Sequence, residues 1–241
     1  MFKKRFMFVM LLVLAVASAS AGTWKMHNSY VTKLIKNVFD TGDKVYYVNS
    51  NKLYQFDKST QTTLSLGKQN ILSDNTISQI YYDWENKLLF VAYANSNIDV
   101  IDQAGKVTNI SNIKDMVIPL KTFTLKDDQL DTYTGKEISD ITFHDGIAYV
   151  AAGYGYMTID ESTLKVIENR NMGKNITINS VGIVGNQMVI LTNTYCYYGD
   201  PNSQDPRNEF TRKSASVSGG KMFVVDDETF LVYGTSKFYY F

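Results

Sequence analysis

Few residues of this chain could do acid–base, nucleophilic or metal chemistry: two histidines, His27 and His144, a single cysteine, Cys196, and a recurring set of aspartates, Asp57, Asp99, Asp102 and Asp160. Metal binding or catalysis needs such groups to converge, and nothing in the spacing brings the histidines together. His144 opens the run His144-Asp145-Gly146, turn chemistry that favours exposure to solvent. No HExxH, CxxC, GxSxG or GKS/GKT motif occurs, so zinc, redox, acyl-transfer and phosphate sites have no local support. The four aspartates fall at the ends of apolar runs, where a carboxylate caps a turn by accepting backbone N–H bonds more readily than it forms a catalytic pair. Asp200-Pro201-Asn202-Ser203-Gln204-Asp205 is rich in oxygen ligands. It lacks the glycine and the distal glutamate of a calcium loop, since position 211 is Thr211. Cys196, inside Tyr195-Cys196-Tyr197-Tyr198, reads as a buried small residue. The expectation is a chain without catalytic residues, metal or cofactor.

Recognition is the remaining chemistry. The turns Ala94-Asn95-Ser96-Asn97 and Gly153-Tyr154-Gly155-Tyr156 hold equivalent places after apolar runs and offer amides and aromatic rings, suited to a protein surface or a saccharide. Asn95, Asn97, Tyr154 and Tyr156 are therefore the candidate partner-binding residues. The same residue types are also good turn formers, and that reading stays open beside the functional one.

These turns belong to a repeated layout. Ile77 to Tyr82, Leu88 to Tyr93 and Ile98 to Ile101 are strand-like runs separated by polar turns, a meander of short antiparallel strands. The pattern strand, turn, strand, turn, strand recurs from Phe39 to Asp57, Ile141 to Asp160, Val181 to Tyr198 and Met222 to Phe241. The third strands end at Asp57, Asp102 and Asp160, then near Asp200 and Phe241, so the steps are 45, 58, 40 and 41 residues. Three of the four match a four-stranded propeller blade of ~40 to 50 residues. The long step carries an insertion of roughly Asn112 to Lys136, itself hairpin-like, with an acidic tip at Asp127 and Asp128. Tyr 17 and Phe 13 against Pro 3 fit sheet surfaces, and no window shows capped helical periodicity. An all-β fold follows: a β-propeller of four-stranded antiparallel blades with about five blade-like repeats and almost no helix. The loop from Gly199 to Ser216 reads as a flexible insertion between blades.

The ends of the chain carry separate signals. Lys3, Lys4 and Arg5 precede an apolar core from Phe6 to Ala17 and small residues up to Ala21, the layout of a signal peptide over residues 1–21, leaving 22–241 as a single propeller domain. No later stretch is apolar enough to span a membrane, so the mature chain is expected to be exported without a transmembrane span, to the periplasm or the outer surface. Basic and acidic residues number 24 each, and removing the leader leaves a small acidic excess, a balance that argues against nucleic acid as partner. Thr23 to Asn37, with Trp24, Val31, Leu34 and Ile35, could supply the strand that closes a five-bladed ring. The other reading is that the chain is the front of a larger ring.

The run Gln69 to Ile80, QNILSDNTISQI, resembles the opening of two-component regulator propeller repeats. LSDNTISQIYYD, then LLFVAYANSNIDVID, then KEISDITFHDGIAYVAAGYGYMTID, is similar to the N-terminal β-propellers of the PorZ family of the type IX secretion system of Bacteroidetes, over roughly Trp24 to Asp160. The resemblance implies more blades than the repeats here supply. It also implies a non-enzymatic interaction module that supports a cell-surface sortase and the attachment of cargo to anionic lipopolysaccharide, with a sortase-like protein or that lipopolysaccharide as partner. The alternative is the extracytoplasmic ligand-sensing propeller of a two-component regulator system. A propeller lyase or glycosidase would need carboxylates or histidines converging on the channel.

Overall fold

Leu88–Tyr93, Ile147–Ala152 and Gln187–Thr192 read LLFVAY, IAYVAA and QMVILT, runs with little polar alternation that a strand carries only when both of its faces are covered. The computed structural model, which describes residues 35–115, 135–172, 176–215, 219–233 and 238–240, shows what covers them. Five antiparallel sheets follow one another along the chain, each pairing its strands in sequence order. The first holds β1 (Ile35–Asp40), β2 (Lys44–Asn49), β3 (Lys52–Asp57) and β4 (Thr62–Leu66). The second holds β5 (Ile77–Asp83), β6 (Leu88–Tyr93), β7 (Ile98–Ile101) and β8 (Val107–Ile110), followed by a single helical turn, α1 (Asn112–Asp115). The third holds β9 (Ile138–His144), β10 (Ile147–Ala152), β11 (Gly155–Asp160) and β12 (Lys165–Asn171). In the fourth, β13 (Ile178–Val184), β14 (Gln187–Thr192) and β15 (Tyr195–Gly199) are followed by the short α2 (Pro206–Glu209) and then β16 (Thr211–Ser214). The fifth is described as three strands, β17 (Lys221–Val224), β18 (Phe230–Tyr233) and β19 (Phe238–Tyr240). These are the four-stranded blades expected from the repeats. Among the described residues the ring is not closed, since no strand pairs the fifth sheet with the first.

The core is divided into layers between successive sheets. Tyr46, Val48 and Leu53 meet Ile80, Leu89 and Val91 between the first and second. Phe90 and Val100 meet Ile141, Val150 and Met157 between the second and third. Tyr149 and Met172 meet Val181, Ile190 and Tyr197 in the next layer, and Val189, Leu191 and Cys196 meet Met222, Phe230 and Val232 in the last. Adjacent residues Phe90 and Val91 thus enter opposite layers, which is the period of two of a strand and the reason the middle strands are apolar throughout. Truncating Phe90 to alanine would cost about 4 kcal/mol.

Local chemistry sets the turns. Asp145 and Gly146, at φ 48° and 72°, make the left-handed two-residue turn that Asp-Gly favours between twisted strands. The inner strands β5, β9 and β13 share an irregularity: pairing slips after Ile77, Ile138 and Ile178, leaving Ser78, Ser139 and Asn179 as bulged residues. Gly182 on β13 packs closely under the next sheet: a Cβ would lie 2.6 Å from Met222 Cε and 2.9 Å from Thr142 Oγ1, so those side chains would have to shift.

The loop Gly199 to Ser216 corrects one expectation. It is not an insertion between blades: β16 pairs with β15 and is the fourth strand of the fourth sheet. The signal peptide expected over 1–21, His27, most of the closing segment, and the insertion from residue 116 to 134 with Asp127 and Asp128 lie outside the described residues.

Candidate functional site

The four sequence-derived candidates lie on equivalent hairpins, β6–β7 and β10–β11, but their side chains are largely committed within the fold. Asn95 is half-buried; its Nδ2 donates to Asp74 Oδ2, and its Oδ1 accepts the Asn97 N–H at 3.2 Å. Asn97 is buried and its Oδ1 accepts from Asn109 Nδ2 at 3.1 Å. Tyr154 and Tyr156 are both buried, Tyr154 in the second layer and Tyr156 in the third. Tyr154 Oη donates to Asn169 Oδ1 at 2.7 Å, whereas Tyr156 Oη has no hydrogen-bond partner among the described residues. Burial pushes both phenols above their ordinary range. Of the four, Asn95 alone has a side chain partly open to solvent, so a partner at these turns would meet mainly their backbone.

The equivalent hairpin of the fourth sheet is different. Thr192 Oγ1 accepts the Tyr195 N–H and donates to the Tyr195 carbonyl, both at 3.0 Å, and so fixes the turn at Asn193 and Thr194. Beside it opens a cleft of about 760 Å³ lined by Thr177, Asn193, Tyr195, Tyr197, Arg207 and Arg212 among others, with no carboxylate in its wall among the described residues. Tyr195 and Tyr197 share a face at spacing i, i+2, their rings 6.1 Å apart and edge-on. The Arg212 guanidinium, carried by β16, lies 4.6 Å from the Tyr195 ring centre, a cation–π contact. Aromatic faces, neutral hydroxyls and amides, and two exposed arginines suit a hydroxylated, anionic ligand. Sequence reasoning missed this cleft because it took the segment carrying Arg207 and Arg212 for an insertion. The available signal was the pair Tyr195 and Tyr197 opposite a basic strand.

A second polar cluster lies on the inner strands. Lys221 of β17 donates from Nζ to Gln79 Oε1 of β5, lies 3.6 Å from Asp140 Oδ1 of β9, and sits 5.2 Å from the Tyr81 ring centre. Ser180 Oγ of β13 donates to Asp140 Oδ2 at 2.6 Å and accepts the Met222 N–H at 3.2 Å. Four sheets therefore meet through side chains. Burial, opposed by Lys221 and Ser180, pushes the Asp140 carboxyl up to about 6. The signal for this cluster was in plain view: Ile77-Ser78-Gln79-Ile80, Ile138-Ser139-Asp140-Ile141 and Ile178-Asn179-Ser180-Val181 repeat one pattern around the bulge.

The aspartates divide. Asp57 accepts from the Ser59 and Thr60 N–H groups at 2.8 and 3.0 Å, Asp102 from Lys106 N at 2.9 Å and Asp160 from Thr163 N at 2.8 Å, so these three cap turns. Asp99 does not. It is fully buried in β7, accepting from Tyr93 Oη at 2.5 Å, Ser73 N at 2.7 Å and Asn109 Nδ2 at 2.7 Å. Together with the Asp74–Asn95 bond it clasps the loop before the second sheet, so the motif residues LSDN and NSNID touch one another. Cys196 is buried beside a smaller cleft of about 370 Å³ between the fourth and fifth sheets, and burial pushes its thiol up to about 11, so it stays protonated. His144 is partly exposed and lies 3.5 Å from the Asp145 carboxylate. Among the described residues no group of three or more acidic, histidine or cysteine side chains is placed to hold a metal, and no helix is long and apolar enough to cross a membrane.

Against known proteins, the chain is similar in fold to several propellers. One is PorZ, a surface component of the type IX secretion system of Porphyromonas gingivalis, with 21% identity and a TM-score of 0.62 over 85% of this chain and 27% of that one. Another is the extracellular domain of the putative hybrid two-component system BT4673 of B. thetaiotaomicron, with 16% identity and a TM-score of 0.58 over 85% of this chain and 26% of that one. The WD40 propeller domain of Doa1 matches at 13% identity and a TM-score of 0.55, over 84% of this chain and 62% of that one. The chain thus spans about a quarter of the length of the first two. No curated protein matches it. The model of the N-terminal β-propeller domain of PorZ of the type IX secretion system matches residues 45–208, which run from β2 of the first sheet into α2 of the fourth and take in the clasp and most of the arginine cleft. On that match the chain belongs to the family of PorZ N-terminal β-propeller domains.

Proposed function

We propose that this chain is an exported, non-enzymatic interaction module of a type IX secretion system, meeting a sortase-like protein partner and anionic lipopolysaccharide during the attachment of cargo, in the periplasm or on the outer cell surface. Family membership supports the secretion-system assignment. The observation that carries the ligand class is the cleft of the fourth sheet, where Arg207 and Arg212 stand beside Tyr195 and Tyr197 with no carboxylate in the wall among the described residues. Guanidinium groups pair bidentately with phosphate and carboxylate, and tyrosine faces stack on sugar rings. The candidates Asn95, Asn97, Tyr154 and Tyr156 enter this proposal as the supports of neighbouring turns on the same end of the blades.

The test is binding of the full chain to anionic lipopolysaccharide compared with a neutral saccharide of similar size. The expected result is binding that weakens with salt and falls at least about tenfold in the Arg207→Ala, Arg212→Ala double variant, each charged contact being worth about 1.5 kcal/mol or more. Undiminished binding in the double variant would exclude the cleft. A second reading, a ligand-sensing propeller of a two-component system, is supported by the fold likeness to the BT4673 extracellular domain. It predicts a small soluble ligand in place of lipopolysaccharide, and the same titration with free anionic sugars separates the two.

A further inference from the structure

At the other end of the blades, where the third sheet packs on the second, two acidic side chains from different sheets meet. Asp83 closes β5 and starts the turn Asp83-Trp84-Glu85-Asn86, while Glu161 follows β11. Both are buried, at 4% and 6% exposure. Each Asp83 oxygen accepts one backbone N–H of its own turn, Glu85 N and Asn86 N, both at 3.0 Å, which leaves one lone pair on each oxygen. Glu161 Oε2 accepts from Asn86 Nδ2, but Glu161 Oε1 is buried with no hydrogen-bond partner among the described residues. Asn86 joins the two carboxylates, its backbone N–H on Asp83 Oδ2 and its side-chain amide on Glu161 Oε2. Among the described residues no lysine, arginine or histidine forms an ion pair with Asp83 or Glu161. Two buried carboxylates drawn to one asparagine, one of them with an unpartnered oxygen, form an all-oxygen cradle that calls for a positive charge.

We propose that a hard divalent cation of the calcium class binds here, bridging the second and third sheets through the Asp83 and Glu161 carboxylates. The donors are all oxygens, which excludes the soft metals. Asn86, which already reaches Glu161, presents its amide carbonyl as a third ligand once the amide is turned. Trp84, Glu85 and Asn86 are exposed, so the turn is an open entry path and water completes the shell. Carboxylates on two separate turns, able to bind through one oxygen or two, suit the loose geometry of calcium better than the strict octahedron of magnesium. With only two charged ligands the site belongs to the weak class, of about 10⁻⁴–10⁻³ M, typical of extracellular modules. Bound there, the ion adds a staple at this end of two blades that share an apolar layer and, on the inner strands, the Tyr81 to Ser139 hydrogen bond.

The experiment is thermal melting of the full chain at neutral pH after treatment with EDTA, with Ca²⁺ then returned to about 1–5 mM. The expected result is a rise in Tm of about 3 °C or more, smaller with Mg²⁺, absent in Glu161→Gln and retained in Asp140→Asn, whose residue lies on the inner strands. A melting temperature that ignores Ca²⁺, or an equal rise in Glu161→Gln, overturns the proposal. An unresponsive wild type with a Glu161→Gln variant that is the more stable of the two would assign the neutralising charge to a shared proton instead. Should Glu161→Gln fail to fold, Tb³⁺ decides the matter on the wild type. Trp84 lies in the same turn, 61% exposed, and serves as sensitiser. Tryptophan-excited Tb³⁺ emission that Ca²⁺ displaces and that Trp84→Phe reduces supports the site, and emission lacking either property overturns it.

Discussion

Asp99 and Asp140 are both buried carboxylates on neighbouring sheets, yet the fold satisfies their hydrogen bonding in opposite ways. Asp99 is held by neutral donors from its own sheet and the loop just before it: the Tyr93 hydroxyl, the Ser73 N–H and the Asn109 amide. Asp140 is held across sheets, by Ser180 of the fourth and Lys221 of the fifth. The first arrangement fastens a blade to its lead-in segment. The second fastens blades to one another around the inner strands, which among the described residues share no ladder hydrogen bonds and are joined by such side-chain bridges. Ser139 Oγ and Thr142 Oγ1 add two more, donating to the Ile178 and Val181 carbonyls at 2.6 and 2.5 Å.

The comparison breaks most severely at Asp99. Asp99→Ala takes the acceptor from the buried Tyr93 hydroxyl and the half-buried Ser73 N–H, while Asn109 keeps Asn97 Oδ1 and the Ile98 carbonyl, and should cost about 3 kcal/mol, read as a large shift in the denaturation midpoint with an unchanged slope. A loss under 1 kcal/mol would mean that water replaces the carboxylate and that the clasp is not closed.

Asp140 should differ in its response to pH. Its folded pKa of about 6 lies above the unfolded value of 3.8, so the folded state binds the extra proton between those limits. Stability is then greatest below pH 4 as far as this group is concerned, and falls by about 3 kcal/mol as pH rises through 6. Asp140→Asn should flatten that slope while Asp99 variants leave it in place, as followed by chemical denaturation at a series of pH values.

Lys221 sharpens the contrast. Lys221→Met removes the cation beside Asp140 but keeps most of the aliphatic packing, and should cost about 1–2 kcal/mol at pH 7 and close to nothing at pH 4. In the Asp140→Asn background the pH 7 cost should shrink, a coupling that a double-mutant cycle measures directly. A cost independent of pH and of Asp140 would show that Lys221 acts by packing alone.

The smallest expected effect is at Asn95. Asn95→Ala loses the bonds to Asp74 and to the Asn97 N–H, and should cost about 1 kcal/mol because the turn stays partly solvated. A loss approaching that of Asp99→Ala would make the turn part of the same buried unit.

Most of the blade architecture was legible in the chain. Turn residues such as Asp145 and Gly146, the apolar middle strands and the recurring third-strand aspartates act through contacts a few residues away, so their types and spacing carry the information. The fourth strands were harder to see. β4 reads TTLSL and β16 reads TRKS, largely exposed edges with little apolar pattern, and β16 was mistaken for part of a loop for that reason. Tyr154 and Tyr156 misled in the other direction: turn-forming neighbours suggest exposure, but the adjoining sheet covers both rings. Asp99 reads as a turn cap in the sequence because its partners Ser73 and Asn109 are 26 and 10 residues away.

By itself, then, the amino-acid order determined the class of fold, the succession of meanders and most of the caps, because each rests on hydrogen bonds and side-chain alternation within one hairpin. Only the tertiary structure decided which polar residues matter. Gln79, Asp140, Ser180 and Lys221 come from four sheets, Asp83 and Glu161 from two, and the cleft of Arg207 and Arg212 needs β16 folded back against β15. Such meetings are set by the packing of whole sheets on one another, and no local spacing along the chain encodes the distance between residues that far apart.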